Sequence, residues 1–295
     1  MSRAQELLPI DRTQPEEVYL PLSDEQRERV DIEERFVPGP EGAPDVRLVV
    51  YRPRAAKGTL PLLLHLHGGA FCILRPESFA GMEAGWALDH ECVVAAVDYR
   101  LAPEHPFPAG PEDCYAALLW CVANPDALGI DPDHVVVSGE SAGGALTAAV
   151  CLMARDRGGP RIRLQGLGIP VLDDRLDQPS YRQAEAAEGF NTPAAEGMWL
   201  HYLGEDYDRS KTSPYAAPAR AESLAGLPPA VVQTNGLDPL RDEGIEFALR
   251  LMAEGIDVEL YNAPGCYHGA DPLDMRAMIQ GATVFNQALG AALKR

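Results

Sequence analysis

Short apolar segments alternate with helical patterns along most of this chain, and that alternation is the strongest constraint on its fold. The segments predicted as strands are VRLVVYRP, LPLLLHLH, CVVAAVDY, HVVVSG, LQGLGIPVL, PAVVQTNG and DVELYNA. The helices predicted between and after them span Ser78–Asp89, Pro111–Asn124, Ala142–Arg157, Asp242–Glu254 and Asp274–Leu293. Because nearly continuous apolar strands are covered on both faces, the alternation predicts an α/β fold with a mostly parallel central sheet flanked by helices.

Two regions interrupt this alternation. Residues 1 to about 45 are polar and helix-leaning, and residues 175–220 contain no predicted strand and are rich in alanine, glutamate and aromatic residues. A length of 295 residues suits one large α/β domain with additions. We therefore predict that 1–45 is the N-terminal part of a helical cap, 46–174 the first part of the sheet domain, 175–220 a cap insertion and 221–295 the second part of the sheet domain.

The composition disfavours several classes of partner and site. A formal net charge of −19 repels phosphate backbones and anionic lipid headgroups, so neither nucleic acid nor a membrane is an expected partner. The N-terminus lacks the apolar core of a signal peptide, and no stretch reaches the roughly 20 apolar residues of a membrane span. The six cysteines are scattered, without the close pairing of a zinc or redox site. We expect free thiols in a cytoplasmic protein.

The segment VVVSGESAGGALTAAV joins a β-branched run, a glycine-rich turn and an alanine-rich run without a linker. Its centre, GESAG, matches the nucleophile-elbow pattern Gly-x-Ser-x-Gly, with Ser141 at the tip of the turn. A strand that turns directly into a helix pushes this hydroxyl above the sheet, and Gly139 and Gly143 leave room for the crowded backbone. The pattern predicts a nucleophilic serine; the alternative is a simple strand–helix turn.

A nucleophilic serine needs a base, and the expected chain order in this motif context is serine, acid, histidine. Only His201 and His268 follow Ser141 among the seven histidines. His201 lies in MWLHYLG, a predicted cap helix, whereas His268 lies in APGCYHGADP, a loop after the last predicted strand. A loop at the carboxyl edge of the sheet can carry an imidazole over the serine, so His268 is the predicted base.

The orienting acid is expected in a loop that follows a strand, between the serine and the histidine. The segment VVQTNGLDPLRDEG offers Asp238, Asp242 and Glu243. Asp238 directly follows the strand, whereas the other two fall in the first turn of a helix, where carboxylates are common. Asp238 is therefore the predicted acid and Asp242 the second candidate; a helix N-cap is the alternative role for Asp238.

Attack on a carbonyl creates an oxyanion, which preorganised N–H groups stabilise. The residue after the nucleophile, Ala142, is one expected donor because it begins a helix. The glycine-rich loop after the strand LPLLLHLH, with Gly68, Gly69 and Ala70, is expected to supply the others. A competing interpretation is a metal site built on His65-x-His67, although no further histidine and aspartate set accompanies this pair.

These motifs together resemble the bacterial hormone-sensitive-lipase-like carboxylesterases of the α/β-hydrolase superfamily, from about Leu62 to the C-terminus. The segments that carry the resemblance are HGGAF, VDYRLAPEHPFPAG, GESAGG, DPLRDEG and YHG. The resemblance implies a catalytic triad of Ser141, Asp238 and His268. It also implies an oxyanion hole formed around Gly68, Gly69, Ala70 and Ala142. Two departures stand out: Ala70 replaces a third glycine, and Glu140 stands where aspartate is commoner. Arg100 and His105 are implied to be structural.

The resemblance also implies an α/β-hydrolase fold with a helical cap, and a serine carboxylesterase that forms an acyl-enzyme without a metal or organic cofactor. Cap residues would then face the acyl pocket, namely Phe190, Met198, Trp199 and Tyr202, although each could instead pack the cap onto the sheet. A capped pocket predicts short- to medium-chain acyl esters. An amidase, lactonase or deacetylase could use the same triad, and some relatives are receptors that lack the histidine. A homodimer is also expected.

Overall fold

One mixed sheet of eight strands forms the centre of the structure, a computed structural model that describes residues 2–11, 20–269, 273 and 275–294. In chain order the strands are β1 (Val30–Val37), β2 (Val46–Pro53), β3 (Leu60–Leu66), β4 (Val93–Asp98), β5 (Ile130–Glu140), β6 (Leu164–Gly168), β7 (Ala230–Asn235) and β8 (Val258–Ala263). Their spatial order is β1-β2-β4-β3-β5-β6-β7-β8. The β1–β2 and β2–β4 pairs are antiparallel, and all the others are parallel.

From β3 onward, each connection between consecutive strands contains at least one helix, and further helices precede β1 and follow β8. The described α-helices are α1 (Arg3–Leu7), α2 (Asp24–Arg29), α3 (Ala80–His90), α4 (Ala109–Ala123), α5 (Pro125–Leu128), α6 (Ala142–Asp156), α7 (Pro179–Gln183), α8 (Thr192–Leu203), α9 (Arg241–Ala253) and α10 (Met275–Leu293). Short 3₁₀ turns occur at Pro76–Phe79, Arg209–Lys211 and Pro218–Arg220. No described helix is long and apolar enough to cross a membrane.

The central parallel strands are covered on both faces, as their continuous apolar sequence predicts. Along β3, Leu62, Leu64 and Leu66 belong to one apolar cluster with residues of α4 and α6, whereas Leu63 belongs to a second cluster with residues of α3 and α10. All four leucines are 0 % exposed. Burial on both faces is the condition under which parallel strands are stable, so the prediction of an α/β fold with a mostly parallel sheet is confirmed.

The sequence analysis missed strand β1, which lies in the region assigned to the N-terminal part of the cap. Its sequence, VDIEERFV, is mostly exposed between two buried valines, because β1 is the last strand at its edge of the sheet. Two of its carboxylates form ion pairs with arginines: Glu34 with Arg47 in the neighbouring strand β2, and Asp31 with Arg54 just after that strand. A strand exposed in this way lacks the apolar run or alternation that identifies strands in sequence.

Two parts of the predicted cap meet in the structure. The N-terminal helix α1 packs against α8: Arg3 forms an ion pair with Glu196, and Nε2 of His201 donates to the carbonyl of Leu8 at 3.0 Å. A side chain at Gly197 would collide with Leu8, so the two segments are in close contact. Residues 12–19 of the predicted cap, and Asp274 at the predicted start of the last helix, lie outside the described residues. The domain division itself stays a prediction.

Candidate active site

Ser141 lies between the end of β5 and the start of α6, in a backbone conformation that residues other than glycine rarely adopt. Its φ and ψ angles are 57° and −118°, and such a residue persists only where its surroundings hold it. A Cβ at Gly143 would lie 1.8 Å from the carbonyl oxygen of Leu66, and a Cβ at Gly139 would lie 2.4 Å from the same oxygen. The two glycines of GESAG therefore allow β3 to approach the turn closely.

Three side chains that are distant in sequence form one chain of hydrogen bonds. The hydroxyl oxygen of Ser141 lies 2.9 Å from Nε2 of His268, and Nδ1 of the same ring lies 2.7 Å from Oδ2 of Asp238. His268 is 6 % exposed and Asp238 is 1 % exposed. With Nδ1–H donating to the carboxylate, the neutral ring presents Nε2 as an acceptor for the serine proton.

Asp238 is fixed in this orientation by the loop that follows β7. Its second oxygen, Oδ1, accepts the N–H of Leu240 at 2.8 Å, so Oδ2 is left to face the imidazole. The other carboxylates of the segment have different partners. Asp242 accepts the N–H of Ser180, and the buried Glu243 accepts the hydroxyl of Tyr181. Burial raises the pKa of Glu243, and these contacts tie α9 to the start of the cap insertion.

The predicted oxyanion loop turns away from β3 beside the nucleophile. A Cβ at Gly68 would lie 3.5 Å from the Cβ of Ser141, and Gly69 and Ala70 have φ angles of 110° and 54°. Among the described residues, no oxygen accepts a hydrogen bond from the N–H of Gly69 or Ala70. Ala142 is fully buried at the first position of α6. Unpaired N–H groups next to a nucleophile are the arrangement that an oxyanion requires.

His65 in β3 and His67 just after it have separate partners and do not form a shared metal site. His67 Nδ1 donates to the carbonyl of Gly68 at 2.7 Å, and burial lowers the pKa of its ring to about 3, so the ring is neutral. His65 lies between Glu83 and Glu140, at 2.7 Å and 2.9 Å from their carboxylate oxygens. Within the described part of the chain, no group of three or more metal-ligating side chains could hold an ion.

Sequence analysis did not find the partnership of His65 with the two glutamates. It singled out His65 for its spacing from His67 and Glu140 for its place in the elbow, but Glu83 is one of many carboxylates in a helical pattern. The pairing depends on how α3 packs on the sheet. No local signal identifies this pairing. A histidine in an otherwise apolar strand is unusual, however, and indicates that the ring has a buried polar partner.

The four predicted pocket residues fall into two groups. The ring of Phe190 lies 4.9 Å from the ring of His268, and its N–H donates to the carbonyl of that histidine. Met198, Trp199 and Tyr202 on α8 are at most 2 % exposed, and the tyrosine ring stacks on Phe71 at 3.8 Å. The structure therefore brings Phe190 to the predicted triad, places Trp199 and Tyr202 against Phe71 just after the oxyanion loop, and buries Met198 in the apolar core.

Comparison with known proteins agrees with this architecture. The family model described as "alpha/beta hydrolase fold" matches residues 63–271. The carboxylesterase NlhH of Mycobacterium tuberculosis is 38 % identical over 81 % of this chain and 75 % of its own length. An arylesterase of Saccharolobus solfataricus is 36 % identical over 70 % of this chain and 67 % of its own length. A bacterial heroin esterase structure superposes with a TM-score of 0.87 at 42 % identity, covering 91 % of this chain and 86 % of that one.

The family model and the relatives each cover more than two thirds of the chain, and the range of the family model includes all three residues of the hydrogen-bonded chain Ser141–His268–Asp238. The chain therefore belongs to the hormone-sensitive-lipase-like carboxylesterases, a family with the α/β-hydrolase fold, as its motifs predict.

Proposed function

We propose that Ser141, His268 and Asp238 are the nucleophile, base and orienting acid of a serine carboxylesterase. The chain is a carboxylic ester hydrolase, an activity that its named esterase relatives support. The observation that carries the residue assignment is the continuous hydrogen-bonded chain from the serine hydroxyl through both ring nitrogens to the carboxylate. A serine that lacked this base would be a poor nucleophile at neutral pH.

The geometry supports a two-step reaction. The Ser141 oxygen attacks the ester carbonyl while Nε2 of His268 takes its proton, and Asp238 stabilises the resulting imidazolium. The N–H groups of Gly69, Ala70 and Ala142 stabilise the tetrahedral oxyanion. His268 then returns its proton to the leaving alcohol, and an acyl group remains on the serine. Water hydrolyses this acyl-enzyme by the same proton transfers, which restores the free serine.

We expect short- to medium-chain acyl esters to be the preferred substrates, because Phe190 closes against His268 and the α8 aromatic residues fill the cap. With p-nitrophenyl esters from acetate to hexadecanoate, kcat/KM should peak at eight carbons or fewer, by about tenfold or more over hexadecanoate.

The matched variant for this measurement is Phe190→Ala, which removes the ring that closes on the histidine. It should shift the maximum toward longer chains while leaving the turnover of acetate within about threefold of the original. A maximum at twelve carbons or more in the original protein would contradict the proposed preference.

We further propose that the protein is cytoplasmic and forms a homodimer. All six cysteines are buried and none of them forms a disulfide, which is typical of a reducing compartment. The β8 edge of the sheet is accompanied by exposed apolar side chains at the start of α10, with Met275 53 % and Ile279 56 % exposed. Light scattering should give twice the mass of the 31.9 kDa chain, and Ile279→Glu should shift it to one chain. A monomeric original protein would contradict the dimer.

A further inference from the structure

A cluster of one histidine and two glutamates lies directly behind the nucleophile elbow, on the α3 side of the sheet, and only its Glu140 side chain is partly exposed, at 24 %. His65 is 0 % exposed, and both of its ring nitrogens face carboxylates: Nδ1 is 2.7 Å from Glu83 and Nε2 is 2.9 Å from Glu140. The edges of Phe79 and Trp86 enclose the ring, with centroids 6.1 Å and 5.2 Å away. We call His65, Glu83 and Glu140 the His65 cluster.

The ring of His65 carries a charge in this setting. Ionised carboxylates only accept hydrogen bonds, so two carboxylate partners require both ring nitrogens to be protonated. Burial alone would lower the pKa of His65, but the charges and hydrogen bonds of Glu140 and Glu83 outweigh it and raise the pKa to about 10. The cationic ring therefore donates to Glu140 through a charge-assisted hydrogen bond, which is strong and directional. At the other ring nitrogen, burial raises the pKa of Glu83, and the hydrogen bond with His65 opposes that rise.

The position of the His65 cluster links the two halves of the active site. β3 and β5 are adjacent parallel strands, paired at Leu66 and Gly139. His65 precedes Gly68, the first residue of the oxyanion loop, by three residues, and Glu140 directly precedes Ser141. The Glu140–His65 contact thus joins the end of β5 to the end of β3, next to the loops that hold the nucleophile and the oxyanion donors.

We propose that Glu140, held by His65, is a positioning residue that keeps the Ser141 elbow in register with the oxyanion loop. This inference rests on the proposed function and deepens it. Backbone hydrogen bonds hold the elbow on its other side: the Ser141 N–H donates to Gly168, and the Val171 N–H donates to the Ser141 carbonyl. The strained φ of the serine needs such support, and a nucleophile displaced by about 1 Å can cost roughly 100-fold in rate.

Two substitutions of His65 distinguish its effect on the position of Glu140 from its effect on the stability of the whole fold. The amide nitrogen of asparagine stands where Nδ1 does, and that of glutamine stands where Nε2 does. His65→Asn therefore keeps the donor toward Glu83 and loses the donor toward Glu140, whereas His65→Gln does the reverse. Both lose the cation. We expect His65→Asn to lower kcat for p-nitrophenyl butanoate about tenfold or more with KM within about twofold, and His65→Gln to stay within about threefold in kcat.

A double-mutant cycle that combines Glu140→Ala with His65→Asn tests whether the two residues act as a unit. Glu140→Ala should lower kcat as much as His65→Asn, and the double variant should be no more than about threefold slower than either single one. Glu140→Ala alone carries the test if His65→Asn does not fold. Equal kcat losses in His65→Asn and His65→Gln, additive losses in the cycle, or unchanged kcat with a lower Tm would overturn the inference. An original protein without esterase activity would instead overturn the proposed function.

Discussion

Replacing Ser141 by alanine is expected to lower kcat for an activated ester by about a million-fold while the protein stays folded. The hydroxyl is the atom that forms the acyl-enzyme, and the alanine side chain offers no replacement nucleophile. The fold should survive because the elbow is held by backbone contacts, including the N–H of residue 141 to Gly168, which alanine keeps. Initial rates with p-nitrophenyl acetate, with Tm from thermal denaturation as the folding check, give the measurement.

Ser138→Ala is the matched control for this substitution. Ser138 lies on β5, three residues before the nucleophile, is 0 % exposed, and its hydroxyl has no hydrogen-bond partner among the described residues. Its removal should leave kcat within about twofold. A fluorophosphonate probe should label the peptide that contains Ser141 in the original protein and in this control, but not in Ser141→Ala. Residual hydrolysis by Ser141→Ala within tenfold of the original rate would contradict the nucleophile assignment.

The parts of the site that the sequence alone predicts are those whose signals are local. GESAG and HGGA are runs of consecutive residues, because a sharp turn and a crowded loop each need glycines at fixed spacings. The order serine, acid, histidine then left His201 and His268 as candidates, and the loop position of His268 after the last predicted strand selected it. In the structure His268 meets Ser141, whereas His201 donates to the carbonyl of Leu8 between two cap segments.

The parts that the sequence did not predict depend on tertiary packing. Strand β1 is mostly exposed and charged, so its membership in the sheet follows from pairing with β2 rather than from its own apolar pattern. The His65 cluster joins β3, α3 and the end of β5, three elements that are far apart in sequence. Carboxylates are abundant in a chain of net charge −19, so no composition rule could choose Glu83.

Asp238→Asn is expected to lower kcat about ten-thousand-fold with little change in structure, because it changes which ring nitrogen carries the proton. Oδ1 of Asp238 accepts the N–H of Leu240, so the asparagine oxygen takes that place and its NH₂ group faces Nδ1 of His268. An NH₂ group only donates, so Nδ1 must accept and the proton moves to Nε2. Nε2 then cannot accept the proton of Ser141. The measurement is kcat at pH 7 with p-nitrophenyl acetate.

Asp242→Asn is the matched control, since it makes the same change four residues later, in the carboxylate that sequence analysis ranked second. Asp242 accepts from the Ser180 N–H and from Arg241, and neither contact reaches the histidine. Its pKa is lowered despite burial because these two partners stabilise the charged form. Neutralising it should therefore lower Tm slightly and leave kcat within about threefold. If Asp242→Asn lost more activity than Asp238→Asn, the acid would have to be reassigned, because the tautomer argument applies only to the carboxylate that holds Nδ1.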